Sequence, residues 1–121
     1  MTVPMERTLK LKSEKVIKVD ESSFEREVLE ASKTAPVLVD CWAEWCAPCR
    51  MLAPTMETLA DTVKVCSIDV EANQALALSL TVSAIPTVVL YKGGKEVERW
   101  VGIRPAKDYM DAVATAAPVK A

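Results

Sequence analysis

The sequence predicts an α/β domain whose strands and helices follow in the order βαβαβαββα. Three observations carry this. Short apolar runs rich in β-branched residues alternate with stretches whose apolar residues recur every three or four positions. A Gly93-Gly94 pair separates the last two strand-like runs and marks a hairpin. At 121 residues, with 50% hydrophobic and 26% charged side chains, the chain has the size and composition of one globular domain. A chain of this length buries roughly 65% of its unfolded surface, enough for a core without covalent staples. The βαβ portion calls for parallel strands joined by right-handed crossovers, and the hairpin adds antiparallel ones.

Residues 1–15 carry four basic and two acidic side chains among few apolar ones. They read as a flexible or edge-lying N-terminal extension, with a basic docking arm as the other reading, ahead of a domain spanning residues 16–121. Val16-Ile17-Lys18-Val19 is a short strand. Asp20 and Ser22 offer N-caps for a helix through Lys33 whose apolar face is Phe24, Val28 and Leu29. Pro36 to Trp42 is an apolar run broken only by Asp40, the pattern of a strand buried on both faces. The next helix places Met51, Leu52, Met56, Leu59, Ala60 and Val63 on one side, and Pro54 inside it is expected to kink it. Val65 to Val70 is another buried strand and Asn73 to Leu80 a short helix turned on Leu76 and Leu80. Thr87 to Tyr91 and Glu96 to Val101 are the hairpin strands, and Gly102 ends the second. Pro105 opens a last helix with Tyr109, Met110 and Val113 inward.

Composition excludes several function classes. A net charge of −2 argues against a general nucleic-acid or anionic-membrane binder. No apolar run approaches the ~18 residues of a membrane span. The absence of histidine removes His-based acid–base catalysis, Ser/His and Cys/His nucleophile pairs, and His-ligated metal or haem. The first fifteen residues lack the apolar stretch and cleavage site of a secretory signal. The expected location is therefore the cytoplasm or, for a mature form whose transit peptide has been removed, an organelle stroma.

Four cysteines are present, and two form the C-x-x-C unit Cys46-Ala47-Pro48-Cys49. Such a unit means redox chemistry or metal binding. A structural zinc site would need Cys41 and Cys66 to converge on it, and both lie inside strand-like runs. They read as small hydrophobes filling a core. The alternative, a Cys41–Cys66 bridge between neighbouring strands, meets the difficulty that parallel in-sheet neighbours rarely satisfy disulfide geometry.

Cys46 falls where a buried strand ends and a helix begins. Unpaired backbone N–H groups and the positive end of the helix dipole favour its thiolate there. Cys49 lies one turn further on, within reach of a disulfide, and Pro48 suits the first helical turn because its missing N–H would have no partner. Trp42 and Trp45 are either flat surfaces beside the sulfur or half-buried core residues. Asp40 has two readings: a desolvated carboxyl with a raised pKa that accepts a proton near neutral pH, or a hydrogen-bonded structural side chain. Pro86, directly before a β-branched strand, is a loop proline whose bond is trans or, less commonly, cis.

These residues resemble the thioredoxin family. Trp45-Cys46-Ala47-Pro48-Cys49-Arg50 follows its W-C-G-P-C-[KR] signature apart from Ala47. Val39-Asp40, Trp42-Ala43-Glu44, Ala53-Pro54, Ile85-Pro86-Thr87, Lys92-Gly93-Gly94 and Val101-Gly102 stand in the family's order, over about residues 16–117. The resemblance implies a thioredoxin fold, a five-stranded mixed sheet flanked by four helices, and a dithiol–disulfide oxidoreductase that needs no cofactor beyond its own disulfide. It implies Cys46 as exposed nucleophile, Cys49 as resolving thiol, Asp40 as buried proton acceptor and Pro86 as a cis-proline. Ile85 would offer backbone hydrogen bonds to an extended substrate, and Trp45, Pro48, Ala84 and Gly102 would complete the docking surface. Implied partners are thioredoxin reductase as electron donor and disulfide-containing client proteins, met by a monomer. A disulfide oxidase or isomerase, and a non-catalytic assembly or processivity subunit, are the rivals on the same fold. Where many members carry a lysine beside the buried acid, the corresponding residue is Val65, with Lys64 on the other strand face.

Overall fold

The computed structural model describes residues 15–115. In chain order these residues form β1 (Val16–Lys18), α1 (residues 25–33), β2 (Val37–Trp42), α2 (Ala47–Leu59), β3 (Lys64–Asp69), α3 (Gln74–Ser79), β4 (Thr87–Lys92), β5 (Lys95–Val101) and α4 (Ala106–Thr115). α1 is composite, a π-helical stretch at Glu25–Glu30 that tightens into a 3-10 turn at Ala31–Lys33. The strands make one mixed sheet in the order β1-β3-β2-β4-β5, parallel across β1, β3 and β2 and antiparallel from β2 through β4 to β5. The five-stranded mixed sheet with four helices is the expected architecture. The expected N-terminal extension lies outside the described residues apart from Lys15, whose ammonium reaches Asp61 at 2.6 Å.

Each face of the sheet buries one apolar layer. On one side Val39, Cys41, Cys66, Ile68, Val89 and Tyr91 pack against Phe24 and Val28 of the α1 region and Leu76 of α3. On the other, Leu38, Val65, Val88, Leu90 and Trp100 pack against Leu52, Met56 and Leu59 of α2 and Tyr109 of α4. Strand alternation produces this division, since neighbours along β2 point to opposite faces. Gly93 and Gly94 close the β4–β5 hairpin at φ 66° and 82°, the left-handed values that such a tight turn demands.

Four expectations are corrected. The first helix is not a regular α-helix. It runs as a π-helical stretch into a 3-10 turn, and its buried residues are Phe24, Val28 and Ser32. Ser22 is not a cap: Asp20 alone gathers the Ser22 and Ser23 N–H groups on its carboxylate, and Ser22 donates its own hydroxyl there as well. Met51 is 69% exposed, because the buried stripe runs Leu52, Met56, Leu59 and position 51 lies about 100° around the helix from it. Val63 is buried but outside α2, which ends at Leu59 after running through Pro54.

Candidate active site

β2 is the central strand, and the chain leaves its C-terminal end at Trp42 to turn into α2. Cys46 occupies the N-cap of α2 in extended backbone, φ −90° and ψ 105°, and its Sγ accepts the Cys49 N–H at 3.2 Å. A sulfur held there meets the helix's unpaired donors and the positive end of its dipole, which stabilise a thiolate. Cys46 and Cys49 are joined as a disulfide with Cα atoms 5.3 Å apart. Exposed Pro48 sits in the first turn.

Cys46 is not the exposed residue that was expected. It is 4% exposed, packed with Ala43 and Cys49 against half-buried Trp42, Val70 and Ile85. The N-cap position tucks it between the end of the central strand and the segment before Pro86. Trp45 beside it is 63% exposed, and its indole N–H donates to the Glu71 carboxylate. The Ile85–Pro86 bond is cis. Pro86 is buried, and its carbonyl accepts the Gly102 N–H at 2.8 Å, which holds the end of β5 beside it. Ala84 is exposed and accepts the Thr87 hydroxyl on its carbonyl. Gly102 has φ 93° with open space where a Cβ would project, so backbone conformation and not crowding selects glycine. Val101 and Ile103 around it are exposed apolar residues that strand alternation and turn signals did not single out as part of this surface.

Behind the disulfide lies a cavity of about 190 Å³ lined by Asp40, Cys49, Arg50, Glu57 and Ser67, with apolar walls from Val16 and Met56. Asp40 is 6% exposed, and among the described residues its Oδ1 has no hydrogen-bond partner. Desolvation pushes its carboxyl up to about 7, as the first sequence reading expected. Lys64 points away, to the Glu27 carboxylate at 2.8 Å, while Val65 shares the face of Asp40. Cys41 and Cys66 are free thiols in the opposite layer, and burial pushes them up to about 12 and about 11. They face Ile68 and Val39 across the β2–β3 register and not each other. Among the described residues no group of three or more His, Cys, Asp or Glu side chains is placed to hold a metal ion, and no helix is long and apolar enough to cross a membrane.

A disulfide at a helix N-terminus, on the rim of a central strand and with a desolvated carboxyl behind it, defines a dithiol–disulfide oxidoreductase. The comparisons with known proteins agree. The Thioredoxin family model matches residues 15–115. The chain is 45% identical over 94 residues to a thioredoxin of Mycolicibacterium smegmatis, covering 73% of this chain and 82% of that one. It is 42% identical over 92 residues to a bifunctional thioredoxin reductase/thioredoxin of Mycobacterium leprae, where the match spans 73% of this chain but 20% of the longer protein. A mutant thioredoxin from Halobacterium salinarum has the same fold at a TM-score of 0.75 and 33% identity, covering 87% of this chain and 93% of that one. The chain belongs to the thioredoxin family. Its activity is protein-disulfide reduction through the Cys46/Cys49 pair.

Proposed function

We propose that Cys46 is the attacking thiolate, Cys49 the resolving thiol and Asp40 the group that takes the proton of Cys49. The observation that carries this is the disulfide at the start of α2 with Asp40 and Cys49 on one cavity wall. Cys46 thiolate attacks a client disulfide, so that a mixed disulfide forms and one client sulfur leaves as thiolate. Cys49 then loses its proton to the Asp40 carboxylate through water and attacks the Cys46 sulfur. The mixed disulfide breaks, the second client thiolate leaves, and the two electrons of the dithiol have passed to the client. Asp40 releases its proton and the Cys46–Cys49 bond is restored.

Trp45, Pro48, Ala84, Ile85, Pro86 and Gly102 form the docking surface for an extended client segment. The Gly102–Pro86 hydrogen bond and the packing of Ile85 on the cysteines support this grouping. A thioredoxin reductase supplies the electrons, a pairing supported by the Mycobacterium leprae relative whose name joins the two. The protein works as a monomer without a cofactor, in the cytoplasm or, as the alternative, an organelle stroma.

Reduction of insulin by thioredoxin reductase and NADPH tests the reading. Addition of the chain should start turnover, and Cys46→Ser should stop it. Equilibration with glutathione should place the pair near ~−270 mV. A value of ~−120 to −180 mV would instead assign it to disulfide oxidation or isomerisation.

A further inference from the structure

We propose that Ser67 is a positioning residue for proton transfer between Cys49 and Asp40, holding together with Asp40 the water that links thiol and carboxyl. The inference deepens the role given to Asp40 above and rests on it.

The β2–β3 ladder pairs Asp40 with Ser67 in parallel register, so the two side chains stand next to each other on one face of the sheet. That face is otherwise an apolar wall of Leu38, Val65, Val88 and Leu90 packed against α2 and α4. Asp40 and Ser67 are the buried polar residues set into it among the described residues, and both line the cavity that Cys49 also lines. A serine on such a wall carries a desolvation cost unless its hydroxyl finds a partner. The partner that fits is water. About 190 Å³ is room for several molecules at ~30 Å³ each, and a buried water needs two to four polar contacts. Asp40, Ser67 and Cys49 together supply three.

Chemistry favours a hydroxyl at this position. It both donates and accepts, so it can stay bonded to the water while Asp40 alternates between acceptor-only carboxylate and protonated acid. Charged or titratable groups facing Asp40 are Cys49, Arg50 and Glu57 from α2 and Tyr109 from α4. β4 presents Val88, and β1 presents Val16 and, in register beside Ser67, the exposed Lys18.

Single-turnover reaction of the reduced full-length protein with dithiobis-nitrobenzoate separates the two steps. The first thionitrobenzoate is released by Cys46 and the second when Cys49 resolves the mixed disulfide. Ser67→Ala should leave the first phase unchanged and slow the second on the order of fivefold, as expected for one lost hydrogen bond. It should also move the pH midpoint of the second phase upward, because the ionised carboxyl loses support. Ser67→Thr should restore both. A Ser67→Ala second phase with parent rate and midpoint, alongside a slowed Asp40→Asn, overturns the role of Ser67 and leaves that of Asp40 standing. A second phase unaffected by Asp40→Asn removes both. Failure of Ser67→Thr to rescue, with melting like the parent, assigns the effect to packing and also overturns the proposal. The infrared carbonyl stretch of Asp40 gives an independent readout: it should shift in Ser67→Ala, and an unmoved band counts against the proposal.

Discussion

Asp40 and Cys41 are neighbours on the central strand, both buried and both titratable, yet they belong to different regions of the molecule. Asp40 faces the α2 side, where a cavity reaches it and the redox pair stands beside it, and its carboxyl sits at about 7. Cys41 faces the α1 side, a dry layer shared with Cys66, and its thiol is pushed up to about 12. Desolvation is the leading cause in both cases. The difference is what each shift leaves available: a carboxyl near 7 trades protons at working pH, and a thiol near 12 trades nothing. A strand that alternates faces thus places a group that titrates near neutral pH and one that does not on adjacent residues.

The largest test of this division compares the two pairs of cysteines. Cys49→Ser should reduce client turnover to the uncatalysed rate and trap Cys46 on the client, visible by mass. Cys41→Ala and Cys66→Ala should turn over like the parent. In alkylation of the fully reduced protein, two thiols should react in the native state and two only on unfolding.

Asp40→Asn should have a large effect on stability. A folded value of about 7 against an ordinary 3.8 means that the native state holds an extra proton between those limits. Stability therefore falls as pH rises through that window and levels off above it. The ionised carboxyl costs the native state about 4 kcal/mol as an upper figure. Denaturant melts should show Asp40→Asn more stable than the parent at pH 8, with the difference shrinking to nothing near pH 4. A pH-independent difference would mean that Asp40 is not the group responsible.

On the dry face the effects are smaller. Cys41→Ala and Cys66→Ala each remove a fully buried sulfur and should cost about 1–2 kcal/mol, readable as a shift in denaturation midpoint. Lys64→Gln breaks a half-buried pair with Glu27 and should cost less than about 1 kcal/mol, a loss that shrinks in high salt. It should also leave the Asp40 titration unmoved, since Lys64 points to the other layer.

Much of the site was legible in the chain. The C-x-x-C spacing and its strand-to-helix context located Cys46 and Cys49, and Asp40 stood out as the lone charge in an apolar strand. Strand positions were read to within a residue or two, because period-two burial and glycine turns are local signals. The rest depends on tertiary neighbours. The burial of Ser32 at the end of α1 is set by the β4–β5 turn, whose Gly93 and Gly94 N–H groups its carbonyl and hydroxyl accept. The burial of Cys46 depends on Ile85, remote in sequence. Ser67 is an ordinary serine until the β2–β3 register sets it beside Asp40.

The place of β2 in the middle of the sheet has one more consequence. Bonded to a strand on each side, its amides are freed only when the whole domain opens. The amide deuterium of Asp40 should thus persist for as long as the protein stays folded, while the carboxyl of the same residue, in the role proposed for it, gives up and regains a proton in every catalytic cycle. Isotope exchange would find a slow amide proton and a fast carboxyl proton a few bonds apart.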